Sequence, residues 1–259
     1  MRIGEALKEI SANNVSLAEK QQQVYDAGVA EGRAQGGYTE GFDAGRQAEY
    51  DAFWDAYQFN GTKKDYDYAF SYYGWADSIF KPKYDIKPES ARGMFSNTYI
   101  VDLAGIIKEQ GIVFDTSMAK SFRSAFQNSS RLKTVPVVDT RSATDTTYLF
   151  NYSTALESIE KIILKQDGSN TFDYWFNGCA KLANVVFEGV IGQSLNISYT
   201  KVLSHGSIVS IIGALSTETT DKTLTLSSTA VNNAFEGGST GSEWLDLIAT
   251  KSNWTISLV

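Results

Sequence analysis

Ala125-Phe126-Gln127-Asn128-Ser129-Ser130-Arg131-Leu132-Lys133-Thr134-Val135 aligns without a gap on two later segments. These are Leu149-Phe150-Asn151-Tyr152-Ser153-Thr154-Ala155-Leu156-Glu157-Ser158-Ile159 and Trp175-Phe176-Asn177-Gly178-Cys179-Ala180-Lys181-Leu182-Ala183-Asn184-Val185. Each carries Phe, then Ser or Cys three positions on, Leu six on, and Val or Ile nine on. The core positions are therefore Phe126, Leu132 and Val135; Phe150, Leu156 and Ile159; and Phe176, Cys179, Leu182 and Val185. Successive phenylalanines stand 24 and 26 residues apart, and a period in the twenties is the mark of a solenoid. The physical reason is burial. One unit cannot hide its few apolar side chains alone, and stacked neighbours hide them in one continuous core.

The Phe-x-x-(Cys/Ser)-x-x-Leu-x-x-(Ile/Val) unit resembles the BspA-type leucine-rich repeat, found in bacterial surface proteins and in bacteriophage structural proteins. The likeness covers roughly residues 94–200 and is specific at the three units quoted. The segment around Phe95 is either a degenerate fourth unit with one residue deleted or part of what precedes the repeats. In each unit the Phe-to-Leu stretch should form a turn or a short helix on the convex side, and the residues after Leu should form a strand: 134–138, 159–164 and 184–187. Pro136 sits awkwardly in the first of these, because it has no N–H to give a ladder. The second unit carries one or two extra residues, to be absorbed as a bulge. Cys179 takes the place of Ser129 and Ser153, which makes it a small core filler rather than a nucleophile.

Upstream, Ile3, Leu7, Ile10, Asn14, Leu17, Gln21 and Val24 alternate at spacings of four and three, a heptad seam with amides at two of its three d positions. A lone amphipathic helix would not need so narrow a stripe. Buried amides in a seam set register and oligomer state, so the expectation is parallel self-association. Resemblance to phage fibre proteins favours a trimer. Gly28, Gly32, Gly36, Gly41 and Gly45 follow, each costing about 1 kcal/mol inside a helix, so this stretch is either a close-packed small-residue stripe or several short turns. Residues 47–59 read as a helix with Tyr50, Phe53, Trp54 and Tyr57 on one side. Residues 61–93 form a tyrosine-rich connector bearing Pro82 and Pro88, read as a cap on the open end of the repeats, with a sugar-stacking platform as the functional alternative.

Before the first repeat, Leu103 to Gln110 reads as a helix stopped by Gly111, followed by a short strand at 112–114. Residues 189–192 and 195–197 offer another strand. Beyond the repeats the order is a helix at 207–215 with a serine cap, a strand at 223–227, helices at 229–235 and 242–251, and a final strand at 254–259. The pattern suggests a closing cap that continues the repeat sheet. The fold class is thus α+β: an N-terminal helical coiled coil (1–60), an aromatic connector and cap (61–98), a short leucine-rich-repeat solenoid (99–203), and a C-terminal helix–strand cap (204–259).

Composition bounds the function. A formal charge of −7 argues against nucleic acid as a partner. A single Cys gives no intrachain disulfide framework. No segment has the ~18 apolar residues of a membrane span, and residues 1–20 do not read as a signal peptide. The expectation is synthesis in a host cytoplasm and work outside the cell as part of a virion. The lone His205 reads as a loop residue, and no Gly-x-Ser-x-Gly elbow or Gly-Lys-Ser/Thr phosphate loop is present. One His and one Cys make no transition-metal cluster, and Asp65-Tyr66-Asp67 does not match a calcium loop. No cofactor, metal or catalytic residue is expected. The expected function is a phage adhesion protein of tail-fibre or baseplate type. Its coil would join other virion proteins, and its repeat head would bind a host-surface glycan or protein through the strand face of residues 134–197 or the aromatics at 66–84. A purely structural fibre or collar protein and a surface-glycan depolymerase remain as alternatives. The latter needs only two carboxylates at a set separation among 30 acidic residues.

Overall fold

The structure is a computed structural model that describes residues 65–71 and 80–259. The expected coil seam from Ile3 to Val24 and the aromatic helix at 47–59 lie outside the described residues. What is described mixes helix with strand, and every strand pair is parallel.

The chain winds so that equivalent turns lie over one another. Phe70, Phe95, Phe126, Phe150 and Phe176 form one buried column, with ring centroids 5.1, 5.5, 5.2 and 5.7 Å apart. The last four rings are within 14° of parallel to their neighbours. Each ring contributes about 1.5–3 kcal/mol by leaving water, and each pair about 0.5–1.5 kcal/mol more. The backbone ties the windings in the same direction throughout. Phe70 N–H donates to Met94 O, Phe95 N–H to Ala125 O, Phe126 N–H to Leu149 O and Phe150 N–H to Trp175 O, at 2.7–3.1 Å.

The position three after Phe does more than fill space. Ser129 Oγ donates to Phe95 O at 2.7 Å, Ser153 Oγ to Phe126 O, and Cys179 Sγ to Phe150 O at 3.1 Å. Each small side chain thus satisfies a carbonyl of the preceding winding inside the core, where an unmet acceptor would cost about 1–3 kcal/mol. Burial also pushes the Cys179 thiol up to about 12. Leu132, Leu156 and Leu182 follow, fully buried, and the chain then enters the sheet.

Strands β1 (Thr134–Val135) and β2 (Val138–Asp139) are two parts of one strand broken at Pro136, and both pair with β3 (Ser158–Ile163). β3 pairs on its other side with β4 (Asn184–Glu188). The register places Val135, Ile159 and Val185 side by side. The extra residue of the second unit is taken up between Ile159 and Ile162, where the register of β3 on β4 shifts.

Helices close both edges of this sheet. Helix α1 (Leu103–Gln110) is capped by the Asp102 side chain on Gly105 N–H and ends on the left-handed Gly111. It lies against β1: Thr134 Oγ1 accepts from Ala104 N–H and donates to Asp102, and Lys133 N–H donates to Val101 O. Helix α2 (His205–Ala214) lies against β4. Its Ser207 Oγ accepts from Val185 N–H at 2.9 Å and donates to Ala183 O at 3.0 Å, and Ser210 Oγ accepts from Phe187 N–H at 2.9 Å.

A second sheet holds β5 (Leu195–Asn196), β6 (Lys222–Leu226) and β7 (Trp254–Leu258), with Leu195, Leu224 and Ile256 in register. Between β6 and β7 run α3 (Ser228–Ala234), a 3-10 turn at Gly238–Thr240, and α4 (Ser242–Ala249). Lys251 Nζ donates to Gly213 O and Leu215 O, holding the end of α2 to this part. One apolar cluster runs through both sheets, from Tyr66 to Trp254.

Several expectations change here. The C-terminal strands do not extend the repeat sheet; α2 stands between, because its serines already meet the N–H groups of β4. The helix cap is Ser204, whose Oγ accepts from Ser207 N–H, while Ser207 itself is buried against β4. His205 opens α2 rather than lying in a loop. Residues 112–114 make only an isolated bridge, Phe114 to Ile86. Phe95 has a full place in the column, with Thr98 and Ile100 buried beside it. Residues 65–71, read as connector, carry the same turn as the later windings, with Tyr66 and Phe70 fully buried. Ile197, Thr200 and Leu203 repeat the unit spacing with Ile in place of Phe, and all three are buried. Ile100 and Ile191 complete a core wider than the three quoted units.

Candidate functional site

The turns at Phe95, Phe126, Phe150 and Phe176 each use two residues with left-handed backbone, one two places before Phe and one two places after, and Tyr68 takes the first of these places before Phe70. The first set is Tyr68, Gly93, Ser124, Tyr148 and Tyr174; the second is Asn97, Asn128, Tyr152 and Gly178. Gly and Asn fit this conformation at little cost, whereas an aromatic residue with φ near +57° gives up on the order of 1 kcal/mol. Four tyrosines nevertheless occupy it.

The rings of Tyr68, Tyr148 and Tyr152 lie along the turn edge, each over the winding that follows. A Cβ at Gly93 would fall 2.2 Å from Tyr68 Cε1, and one at Gly178 would fall 3.0 Å from Tyr152 Cδ1. The Tyr148 ring stacks on Tyr174 at 4.9 Å and 9°. The opposite faces meet solvent: Tyr68 is 39% exposed, Tyr152 53% and Tyr174 59%. Tyr199 is similarly exposed farther along the chain. The edge therefore presents exposed tyrosine rings in several windings.

Charges on this edge are matched locally. Arg123 lies 3.7 Å from Asp145, and its guanidinium stands 5.8 Å over the Tyr148 ring. Burial alone would raise the Asp145 carboxyl, but the Thr147 hydroxyl and N–H, with Arg123 and Arg92, hold it below the usual range. Asp67 accepts from Ser90 Oγ at 2.5 Å and from Arg92 N–H at 3.0 Å.

The two surfaces expected to bind differ from this edge. On the strand face, Lys161 pairs with Glu188 at 2.8 Å, Lys133 with Glu157 at 3.1 Å, and Arg141 with Asp139 at 2.6 Å, leaving Val186 as its exposed apolar side chain. Of the aromatics at 66–84, Tyr66, Phe70 and Phe80 are fully buried, and Tyr84 packs on the core. They are core rather than platform. Tyr68 alone among the described ones faces water; Tyr72, Tyr73 and Trp75 lie outside the described residues.

Of the named repeat positions, Phe126, Leu132, Val135, Phe150, Leu156, Ile159, Phe176, Cys179, Leu182 and Val185 are all at most 1% exposed. His205 Nε2 meets Glu243 Oε1 at 2.7 Å and its ring packs 4.7 Å from Phe235, while the neighbouring Ser204 hydroxyl caps α2. This joins α2 to α4 and sets no hydroxyl nucleophile against the imidazole among the contacts of the described residues. Among the described residues no group of three or more His, Cys, Asp and Glu is placed to hold a metal ion, and no helix is long and apolar enough to cross a membrane.

Sequence reasoning passed over Tyr148, Tyr152 and Tyr174. The signal was available: aligned on Phe, they share columns with Gly93, Gly178, Asn97 and Asn128, residue types that mark left-handed backbone. Compared with known protein families, with curated proteins and with solved structures, the chain has no match.

Proposed function

We propose that this protein is a virion adhesion protein of phage tail-fibre or baseplate type. In this reading a leucine-rich-repeat head binds a ligand on the host surface, and residues 1–60 assemble the heads as a coiled-coil trimer and join them to other virion proteins. The observation that carries the reading is the repeat itself. Phe, Ser or Cys, Leu, and Val or Ile fall at equivalent places in successive windings and build a rigid stack with a broad polar surface. Such a scaffold suits recognition, because side chains on one edge are held at a fixed pitch. Weak contact by each head would become firm attachment when several heads share one stem, since the second contact is then intramolecular. The chemistry of the head is that of a binding surface: exposed aromatic faces and locally paired charges.

The test is the solution mass of the full chain by light scattering, beside Leu17→Asp, together with retention of the chain on whole bacteria. A trimer that the seam substitution dissociates, with cell binding that weakens on dissociation, is the expected result. A monomeric full chain that binds no bacteria removes the proposal.

A further inference from the structure

The turn edge presents the tyrosines where the fold would accept cheaper residues. Gly93, Gly178, Asn97 and Asn128 fill equivalent positions in other windings without strain, so the winding itself does not call for Tyr. The rings are not buried either; Tyr152 and Tyr174 are more than half exposed. A strained aromatic that faces water is accounted for by what it meets there. Tyr68 and Tyr152 each have the ring laid on the next winding, and Tyr174 ends the stacked pair with Tyr148 beneath it.

Resting on the adhesion reading, we infer that Tyr152 and Tyr174 stack the sugar rings of a neutral host-surface glycan, with the open face of Tyr174 as the principal contact and Tyr148 supporting it from beneath. Tyr148 lies face to face with Tyr174 at 4.9 Å, which leaves no room for a sugar between them, so this pair offers a sugar the outer face of Tyr174. Aromatic faces attract the C–H face of a sugar, and the phenol groups at the ring edges exchange hydrogen bonds with its hydroxyls. Charge fixes the class of glycan. The chain carries −7 overall, and among the described residues the guanidinium set over the Tyr148 ring, Arg123, already faces Asp145. An anionic polymer would meet a repelling chain and a cation that is already neutralised, whereas a neutral one needs neither.

The experiment places the full chain and its Tyr174→Asn and Tyr174→Phe variants on an array of neutral and anionic bacterial-surface oligosaccharides. Urea unfolding and retention on whole bacteria are measured for all three. Wild type should hold neutral glycans; Tyr174→Asn should lose at least tenfold in affinity with an unchanged or raised urea midpoint; Tyr174→Phe should stay within about threefold of wild type. If Tyr174→Asn lowers the midpoint, nitration of Tyr174 in wild type decides: protection by the retained glycan supports the assignment, and unaltered nitration overturns it. Binding of anionic glycans alone, of no glycan, or of the same glycan equally by wild type and Tyr174→Asn also overturns it. Bacteria held equally by wild type and Tyr174→Asn sink the tyrosine assignment and leave the adhesion reading standing. Bacteria not held at all sink the adhesion reading, while the array still decides the sugar contact.

Discussion

Cys179 shows how one position is defined by what it must donate to. Its sister residues Ser129 and Ser153 give a hydroxyl proton to the carbonyl of the preceding Phe, and Cys179 gives its thiol proton to the same kind of carbonyl. Cys179→Ser should therefore keep the free energy of urea unfolding within about 1 kcal/mol of wild type. Cys179→Val leaves Phe150 O without this donor and should cost about 1–3 kcal/mol. The thiol itself is buried and pushed up to about 12, so iodoacetamide should leave it unmodified in native protein and label it once urea unfolds the chain. Rapid labelling under native conditions would contradict the core placement. This role was half legible in the sequence. Alignment with two serines marked the residue as small and internal, but a carbonyl two dozen residues earlier cannot be seen until the windings are stacked.

At the scale of elements, the sheet depends on what covers its edges. An uncovered parallel edge offers N–H and C=O groups to any passing strand. Here α2 answers β4 with two hydroxyls, Ser207 and Ser210, one turn apart on the helix. Ser207→Ala with Ser210→Ala should cost about 2–4 kcal/mol by urea unfolding, from two N–H groups losing their acceptors, and should speed amide exchange at Val185 and Phe187 above that of Ile159. Unchanged exchange at both amides would mean that the helix merely sits nearby. Periodicity found the three strands and their turns, because Phe, Leu and Val or Ile recur at fixed offsets in 126–185. It left the equivalence of Phe95 open, as a degenerate fourth unit or part of what precedes the repeats, because Phe95 stands 31 residues before Phe126 and α1 is inserted between them and breaks the period. It passed over residues 65–71 for a different reason: a tyrosine-rich run reads as irregular when burial is unknown, and two of its rings turned out to be fully buried. The second sheet was read as a continuation of the first, since strand propensity says nothing of which edge is already occupied. The exposed tyrosines went unread because Tyr suggests core or strand by type, although the Gly and Asn residues that share their columns mark left-handed turn positions.

For the whole molecule, acid is the informative stress. Asp85 is held below the ordinary carboxylate range by Lys87 and by Val113 N–H, Asp115 by the N–H and hydroxyl of Ser117, and Asp167 by those of Ser169. Asp145 joins them once the Thr147 and Arg123 contacts outweigh its burial. In each case the unfolded chain takes up protons at a higher pH than the folded one. Their stabilisation is therefore complete above the unfolded value of about 4 and is lost as pH falls through the folded values. The urea midpoint should hold level from pH 7 to about 5 and decline below pH 4, and replacing Asp115 with Asn should flatten that decline. A midpoint that rises on acidification would reverse the sign and refute the account. The two helices that flank the first sheet also bear on the molecule's history. With both borders sealed by side chains made for that purpose, the interior behaves like a table that takes extra leaves. A duplicated stretch of some two dozen codons, inserted between β3 and β4, would present one more Phe to the column and lengthen the body by about 5 Å. Neither border would need remaking. Reach toward a surface could thus be tuned by copy number, one leaf at a time, while the seals stay as they are.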